Sequence, residues 1–85
     1  MSIFQFTRLY INDIHADEYH RAAIEKLQTL YPNKRITSYD LHTIGIETDS
    51  LYSDTGIDTY ELGLVDDEIP AIRNTRNDEV ITFRV

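Results

Sequence analysis

The longest helical pattern in the chain is residues 14–31, IHADEYHRAAIEKLQTLY. Its apolar side chains recur three or four positions apart and form one stripe, as in a helix packed against a core. The stripe comprises His20, Ala23, Ile24, Leu27, Leu30 and Tyr31. Asp13 precedes it as a candidate N-cap, and Pro32 ends it. The pattern predicts one long helix that covers the rest of the fold.

The segments on either side of this helix have β character. Residues 3–11 carry apolar side chains on both faces, which is typical of a central strand. Residues 36–46 also predict a strand, but the alternation slips, and a bulge near Thr43 or Gly45 would reconcile its two halves. Residues 47–56 look like a long polar loop.

The last part of the chain adds two more predicted strands. Residues 57–65 place Tyr60, Leu62 and Leu64 on one inward face, and residues 79–85 alternate cleanly. We therefore expect an α+β fold: a small two-layer domain with an antiparallel sheet of three to four strands, covered by one long helix, in the order β-α-β-β-β.

Length and composition limit the possible functions. The 85 residues predict a single domain, 1–85, with a modest core. The absence of cysteine excludes disulfides, thiolate catalysis and cysteine-ligated zinc. No apolar run reaches membrane-spanning length, and the N-terminal residues do not resemble a secretory signal. We expect the protein to act in the cytoplasm of a bacterial host cell and to have no membrane partner.

The most unusual feature of the sequence is its charge distribution. Residues 36–72 contain no lysine or arginine but nine carboxylates, whereas the rest of the chain has eight basic and six acidic side chains. We call residues 36–72 the acidic stretch. The net charge of −7 comes entirely from this stretch, and tyrosines are interspersed within it. Such an asymmetry favours a basic partner, and tyrosine is enriched at protein interfaces.

We therefore expect a non-catalytic inhibitor or modulator that binds a basic protein, such as a nucleic-acid-binding enzyme or complex. Its carboxylates would imitate a phosphate backbone, in the way that small acidic phage proteins block restriction or CRISPR effectors. The predicted partner-binding residues are Asp40, Glu47, Asp49, Tyr52, Asp54, Asp58, Tyr60, Glu61, Asp66, Asp67 and Glu68. Direct binding to nucleic acid is not expected, because these carboxylates would repel phosphates.

Other functions have weaker support in the sequence. The sheet could mediate self-association as a structural or assembly module, with a homodimer as one form, and the acidic charge would then serve solubility only. Asp49-Ser50-Leu51 matches the tripeptide that carries the phosphopantetheine serine in acyl carrier proteins, but the residues after it favour a loop where that family has a helix. We find no catalytic motif and no spacing typical of a metal site, so we expect no enzyme activity, no cofactor and no metal.

Overall fold

A single helix packs on a six-stranded antiparallel sheet in the computed structural model, which describes residues 5–9, 16–48 and 56–85. The elements in chain order are β1 Phe6–Arg8, α1 Ala16–Leu30, β2 Ile36–Asp40, β3 Thr43–Glu47, β4 Ile57–Val65, β5 Ile69–Asn74 and β6 Val80–Thr82. No helix within these residues is long and apolar enough to cross a membrane.

Strand β4 is the centre of the sheet, because three other strands pair with it. The order across the sheet is β2-β3-β4-β5-β6, and β1 also pairs with β4. Strands β3 and β1 share one edge of β4: β3 pairs with the half that begins at Ile57, and β1 with the half that ends at Val65. The pairing of β4 changes from β3 to β1 at Leu62. The N–H of Leu62 donates to the carbonyl of His42, and its carbonyl accepts from the N–H of Leu9.

The core lies between α1 and one face of the sheet. Ala23 and Leu27 of the helix are fully buried, and they belong to the same apolar cluster as Ile44, Leu62 and Ile72 of the three middle strands. Burial of a side chain such as Leu27 contributes about 1.5–3 kcal/mol before entropy is considered. The other face of the sheet has no helix among the described residues, and the side chains on it pack on each other.

The helix and the strand over residues 57–65 are confirmed, and the two-layer α+β architecture is as expected. The strand count was too low, since the sheet has six described strands. Residues 36–46 form a hairpin rather than one bulged strand, because the chain reverses at Leu41 and His42. The irregularity lies between Ser38 and Asp40, earlier than we predicted. Strand β5 was not predicted, because Pro70 appeared to end the preceding strand.

Candidate functional site

The structure separates the predicted partner-binding residues by environment. Asp49, Tyr52 and Asp54 lie outside the described residues. The other eight are distributed over β2, β3, β4 and the turn that follows β4. Those with buried or paired side chains are Asp58, Tyr60 and Glu61, and those with exposed side chains are Asp40, Glu47, Asp66, Asp67 and Glu68.

Asp58 is an internal residue at the start of β4, with only 5% of its surface exposed. Both of its carboxylate oxygens accept hydrogen bonds from Arg76, with Nε–Oδ1 at 2.9 Å and a terminal nitrogen–Oδ2 at 2.8 Å. The Asn74 side-chain amide donates to Oδ2 at 3.0 Å. Paired geometry of this kind is strong and orientation-specific.

These hydrogen bonds, chiefly those from Arg76, hold the pKa of the Asp58 carboxyl below its usual range, although its burial acts in the opposite direction. A carboxylate that is ionised and already bonded on both oxygens is poorly suited to exchange protons with a substrate. We therefore assign Asp58 a structural role in anchoring the turn that carries Arg76.

Glu61 is likewise paired within the molecule, on the sheet face opposite the helix. Its carboxylate accepts a 2.6 Å hydrogen bond from Arg73 and lies 3.7 Å from Arg8. The Arg73 guanidinium also lies over the Phe6 ring, 5.3 Å from its centroid. Two cations from flanking strands thus surround one carboxylate, and Glu61 adds little negative potential outside this cluster.

Tyr60 belongs to the core, with only 3% of its surface exposed. Burial raises the pKa of its hydroxyl, while a hydrogen bond with Asn74 partly opposes that change. The tyrosine lines an open cleft of about 360 Å³ at this end of the sheet. The cleft's charged lining residues are Lys34, Glu47, Asp58, Arg76 and Glu79. The two signs nearly balance, so the cleft does not select strongly for a ligand of either charge.

Asp40 and Glu47 are exposed at opposite ends of the β2–β3 hairpin. One carboxylate oxygen of Asp40 accepts a 2.7 Å hydrogen bond from the backbone N–H of His42, which closes the hairpin turn. This bond lowers the pKa of the Asp40 carboxyl. Glu47 ends β3 and lies on the rim of the cleft. The two residues are separated by the length of the hairpin, so they cannot act as one acidic patch.

Among the described residues, the longest run of exposed carboxylates is in the turn between β4 and β5, where Asp66, Asp67 and Glu68 follow one another. We call these three residues the carboxylate turn. Within the described part of the chain, no arginine or lysine forms an ion pair with them. Ile69, which follows directly, is 43% exposed and adds an apolar surface beside the three charges.

The carboxylate turn has a defined and partly strained backbone. Asp66 and Asp67 have φ values of 54° and 58°, in the left-handed region that favours glycine or asparagine. The backbone N–H of Gln5 donates to Oδ1 of Asp66 at 3.1 Å, and Gln5 accepts from the Asp66 N–H at 2.8 Å. The Glu68 N–H donates to the Val65 carbonyl. The N-terminal strand therefore holds the turn in place.

The sequence did not reveal the partners of the buried carboxylates. Arg73, Asn74 and Arg76 lie outside the acidic stretch, and they reach it only because β5 folds back along β4. The sequence feature that could have revealed the partner of Glu61 is the β4–β5 hairpin. A reversal of the chain at the carboxylate turn puts Glu61 opposite Arg73. Among the described residues, no group of three or more potential ligands from His, Cys, Asp and Glu could hold a metal ion.

Comparison of the chain with protein-family models, curated proteins and solved structures found no significant match.

Proposed function

We propose that this protein is a non-catalytic modulator that binds the basic surface of a larger protein, and that the carboxylate turn is its main contact. The observation that carries the proposal is that some carboxylates of the acidic stretch are paired with arginine and others are not. Asp58 and Glu61 have arginine partners within the fold, whereas Asp66, Asp67 and Glu68 are exposed and have no arginine or lysine partner among the described residues.

The backbone of the turn supports the same proposal. A two-residue turn with positive φ at both positions is most stable with Asn-Gly or Asp-Gly, and a left-handed conformation costs other residues about 1–2 kcal/mol. This chain has Asp at both positions, although aspartate tolerates the conformation better than most residues. A sequence selected for stability alone favours glycine at the second position. Retaining a carboxylate there is consistent with a role in binding.

The partner class follows from the density of exposed charge, since three consecutive exposed residues of the turn each carry a carboxylate. A phosphate backbone likewise presents one negative charge per unit. A lysine- and arginine-lined surface that binds a phosphate backbone could bind the turn through the same side chains. The proposed partner is therefore a nucleic-acid-handling enzyme or complex in a bacterial cytoplasm, of the kind that phage anti-restriction and anti-CRISPR proteins block.

Other residues would contribute less to this contact. Asp40 and Glu47 are exposed and add long-range attraction, which increases the association rate more than the lifetime of the complex. Ile69 would supply the apolar contact that slows dissociation. Asp58, Tyr60 and Glu61 are left out of the proposed contact because their side chains already serve the fold.

The test is a pull-down from the source cell at low salt with three forms of the protein. The first is the wild type, and the second carries Asp66→Asn, Asp67→Asn and Glu68→Gln. The third carries Asp17→Asn, Glu18→Gln and Glu25→Gln on the exposed face of α1, so that it loses the same three charges elsewhere.

We expect the wild type and the helix variant to capture the same basic protein, and raised salt to elute it. The turn variant should capture at least about tenfold less, which corresponds to about 1.4 kcal/mol. Equal capture by all three forms would exclude the carboxylate turn as the contact. Equal losses in both variants would mean that net charge, rather than this site, attracts the partner.

A further inference from the structure

Strand β2 is an edge of the sheet that the described residues form, and its outward-facing backbone groups can be identified. The N–H of Glu47 donates to the carbonyl of Arg35 at 2.9 Å, so these two residues form a hydrogen-bonded pair. Such pairs alternate along antiparallel strands, which makes Thr37 and Gly45 the next one. The N–H and C=O groups of Ile36 and Ser38 therefore point away from β3.

This edge has only some of the features that prevent strand-to-strand association. Proline, lysine and inward-facing charge typically protect an exposed edge, and Ile36–Asp40 contains no proline or lysine. Its side chains from Thr37 to Asp40 are exposed, and Tyr39 has 50% of its surface accessible. The irregularity between Ser38 and Asp40 limits the regular edge to its first residues. A partner strand is expected to pair with that regular part.

We propose that β2 pairs antiparallel with β2 of a second copy of this chain, about a twofold axis that passes beside Thr37. A twofold axis perpendicular to a sheet keeps each side chain on its own face, so symmetric registers must be centred on a single residue. Centring on Thr37 puts Ile36 opposite Ser38 of the second copy. Both outward-facing residues of each strand then form hydrogen bonds across the interface, four in total for the pair by the antiparallel pattern.

The side chains favour this register over its neighbours. With Thr37 at the centre, Arg35 lies opposite Tyr39 of the second copy, a cation–π arrangement. Arg35 and Tyr39 share the sheet face away from the helix, so the two side chains can meet across the interface. Centring on Ser38 puts Arg35 near Leu41, and centring on Ile36 puts Arg35 near Thr37. Only the register centred on Thr37 brings Arg35 and Tyr39 together.

The proposed dimer does not depend on the proposed function, and it would change how that function operates. Pairing the two β2 edges joins both sheets into one. Each protomer's carboxylate turn lies beyond the far end of β4, away from the β2 edge. The dimer would present two such turns, which increases avidity toward an oligomeric or repetitive basic partner.

A single cysteine provides the first test, because the chain contains no other. Directly opposed residues that are not hydrogen-bonded to each other lie about 4.5 Å apart at Cα, within the range that a disulfide spans. The variant is Thr37→Cys. Its control is Thr82→Cys, an equally exposed position on β6 at the opposite edge of the sheet. Under mild oxidation we expect Thr37→Cys to form covalent dimers at least about tenfold faster than the control.

Sedimentation velocity of the unmodified protein provides the second test, from about 1 μM to about 1 mM. We expect the 9.9 kDa monomer to convert to a dimer with increasing concentration. Ser38→Pro removes an N–H that points away from β3, so it should prevent dimerisation while β2 still pairs with β3. Ser38→Ala also loses the Ser38–His20 hydrogen bond but keeps that N–H, and it should dimerise like the wild type.

Two results would overturn the proposal. One is a wild type that stays monomeric at the highest concentration while Thr37→Cys crosslinks no faster than Thr82→Cys. The other is a Ser38→Pro variant that is folded by circular dichroism and dimerises as well as Ser38→Ala. If Ser38→Pro does not fold, the crosslinking rates of the two cysteine variants decide the matter alone.

Discussion

Aspartates at the two ends of β4 lie within nine residues of each other but have opposite environments. At the Ile57 end, Asp58 is buried and accepts hydrogen bonds from Arg76 and Asn74. Beyond the Val65 end, Asp66 and Asp67 are exposed in a turn of left-handed backbone. The two ends are roughly 30 Å apart along the strand. The acidic stretch is therefore continuous in sequence only, and the fold divides it into a structural part and a free part.

This difference teaches how to interpret a run of like charge. A carboxylate inside a strand is opposed by residues from neighbouring strands, and these can come from distant parts of the chain. A carboxylate at a hairpin tip has no neighbouring strand beyond it. Charge in tight turns is therefore a better indicator of external electrostatics than charge within strands.

Among the variants that test this comparison, we expect the largest effect on stability from Asn74→Ala, near the Ile57 end of β4. The Asn74 side chain donates to Asp58 and also accepts from the backbone N–H of Arg76 at 2.8 Å. Asn74 is almost completely buried, so removal of these bonds should lower the free energy of unfolding by about 2–3 kcal/mol. Urea denaturation measures this change. Gln28→Ala, at an exposed position on α1, should change it by less than about 0.5 kcal/mol.

An intermediate effect is expected from pH. Folding holds the pKa of Asp58 below its usual value of about 4, so its contribution to stability is fully present above that value. The contribution is lost as the pH falls through the lower value of the folded state. The urea midpoint of the wild type should therefore fall more between about pH 5 and about pH 3 than that of Asp58→Asn. Equal falls would show that Asp58 is not stabilised by its partners.

The smallest effect is expected from Asp67→Gly in the carboxylate turn, and its sign is opposite. Glycine adopts the observed φ of 58° without a steric penalty, although it also increases the entropy of the unfolded chain. We expect a net stabilisation of about 0.5–1 kcal/mol, together with weaker capture of the partner. Thermal unfolding measures the stability change. A loss of stability would mean that the Asp67 carboxylate serves the fold, as Asp58 does.

The elements with strong local patterns could be predicted from the sequence. The helix was identifiable because Ala23 and Leu27 recur on one face, and β4 because Tyr60 and Leu62 alternate with polar residues. The predicted helix, 14–31, extends one residue past the observed end at Leu30, and residues 14 and 15 lie outside the described part of the chain. These predictions needed only the periodicity of one segment.

The properties that depend on strand pairing could not be predicted. The reversal at Leu41 and His42 lacks the Asn-Gly signal of a tight hairpin, so β2 and β3 appeared as one strand. Asp58 and Glu61 seemed free because Arg76 and Arg73 follow them at a distance of more than ten residues in the chain. Only the register of β4 with β5 brings these charges together, and single-sequence periodicity does not specify that register.

The shared edge of β4 has a consequence for how the molecule folds and opens. The β2–β3 and β4–β5 hairpins close short loops, whereas the paired residues of β1 and β4 are more than 50 residues apart in the chain. Long loops close slowly, so we expect β1 to dock late in folding. With only three paired residues, it should also be the first strand to detach, exposing the N–H of Leu64 to transient hydrogen exchange while the hairpins stay formed.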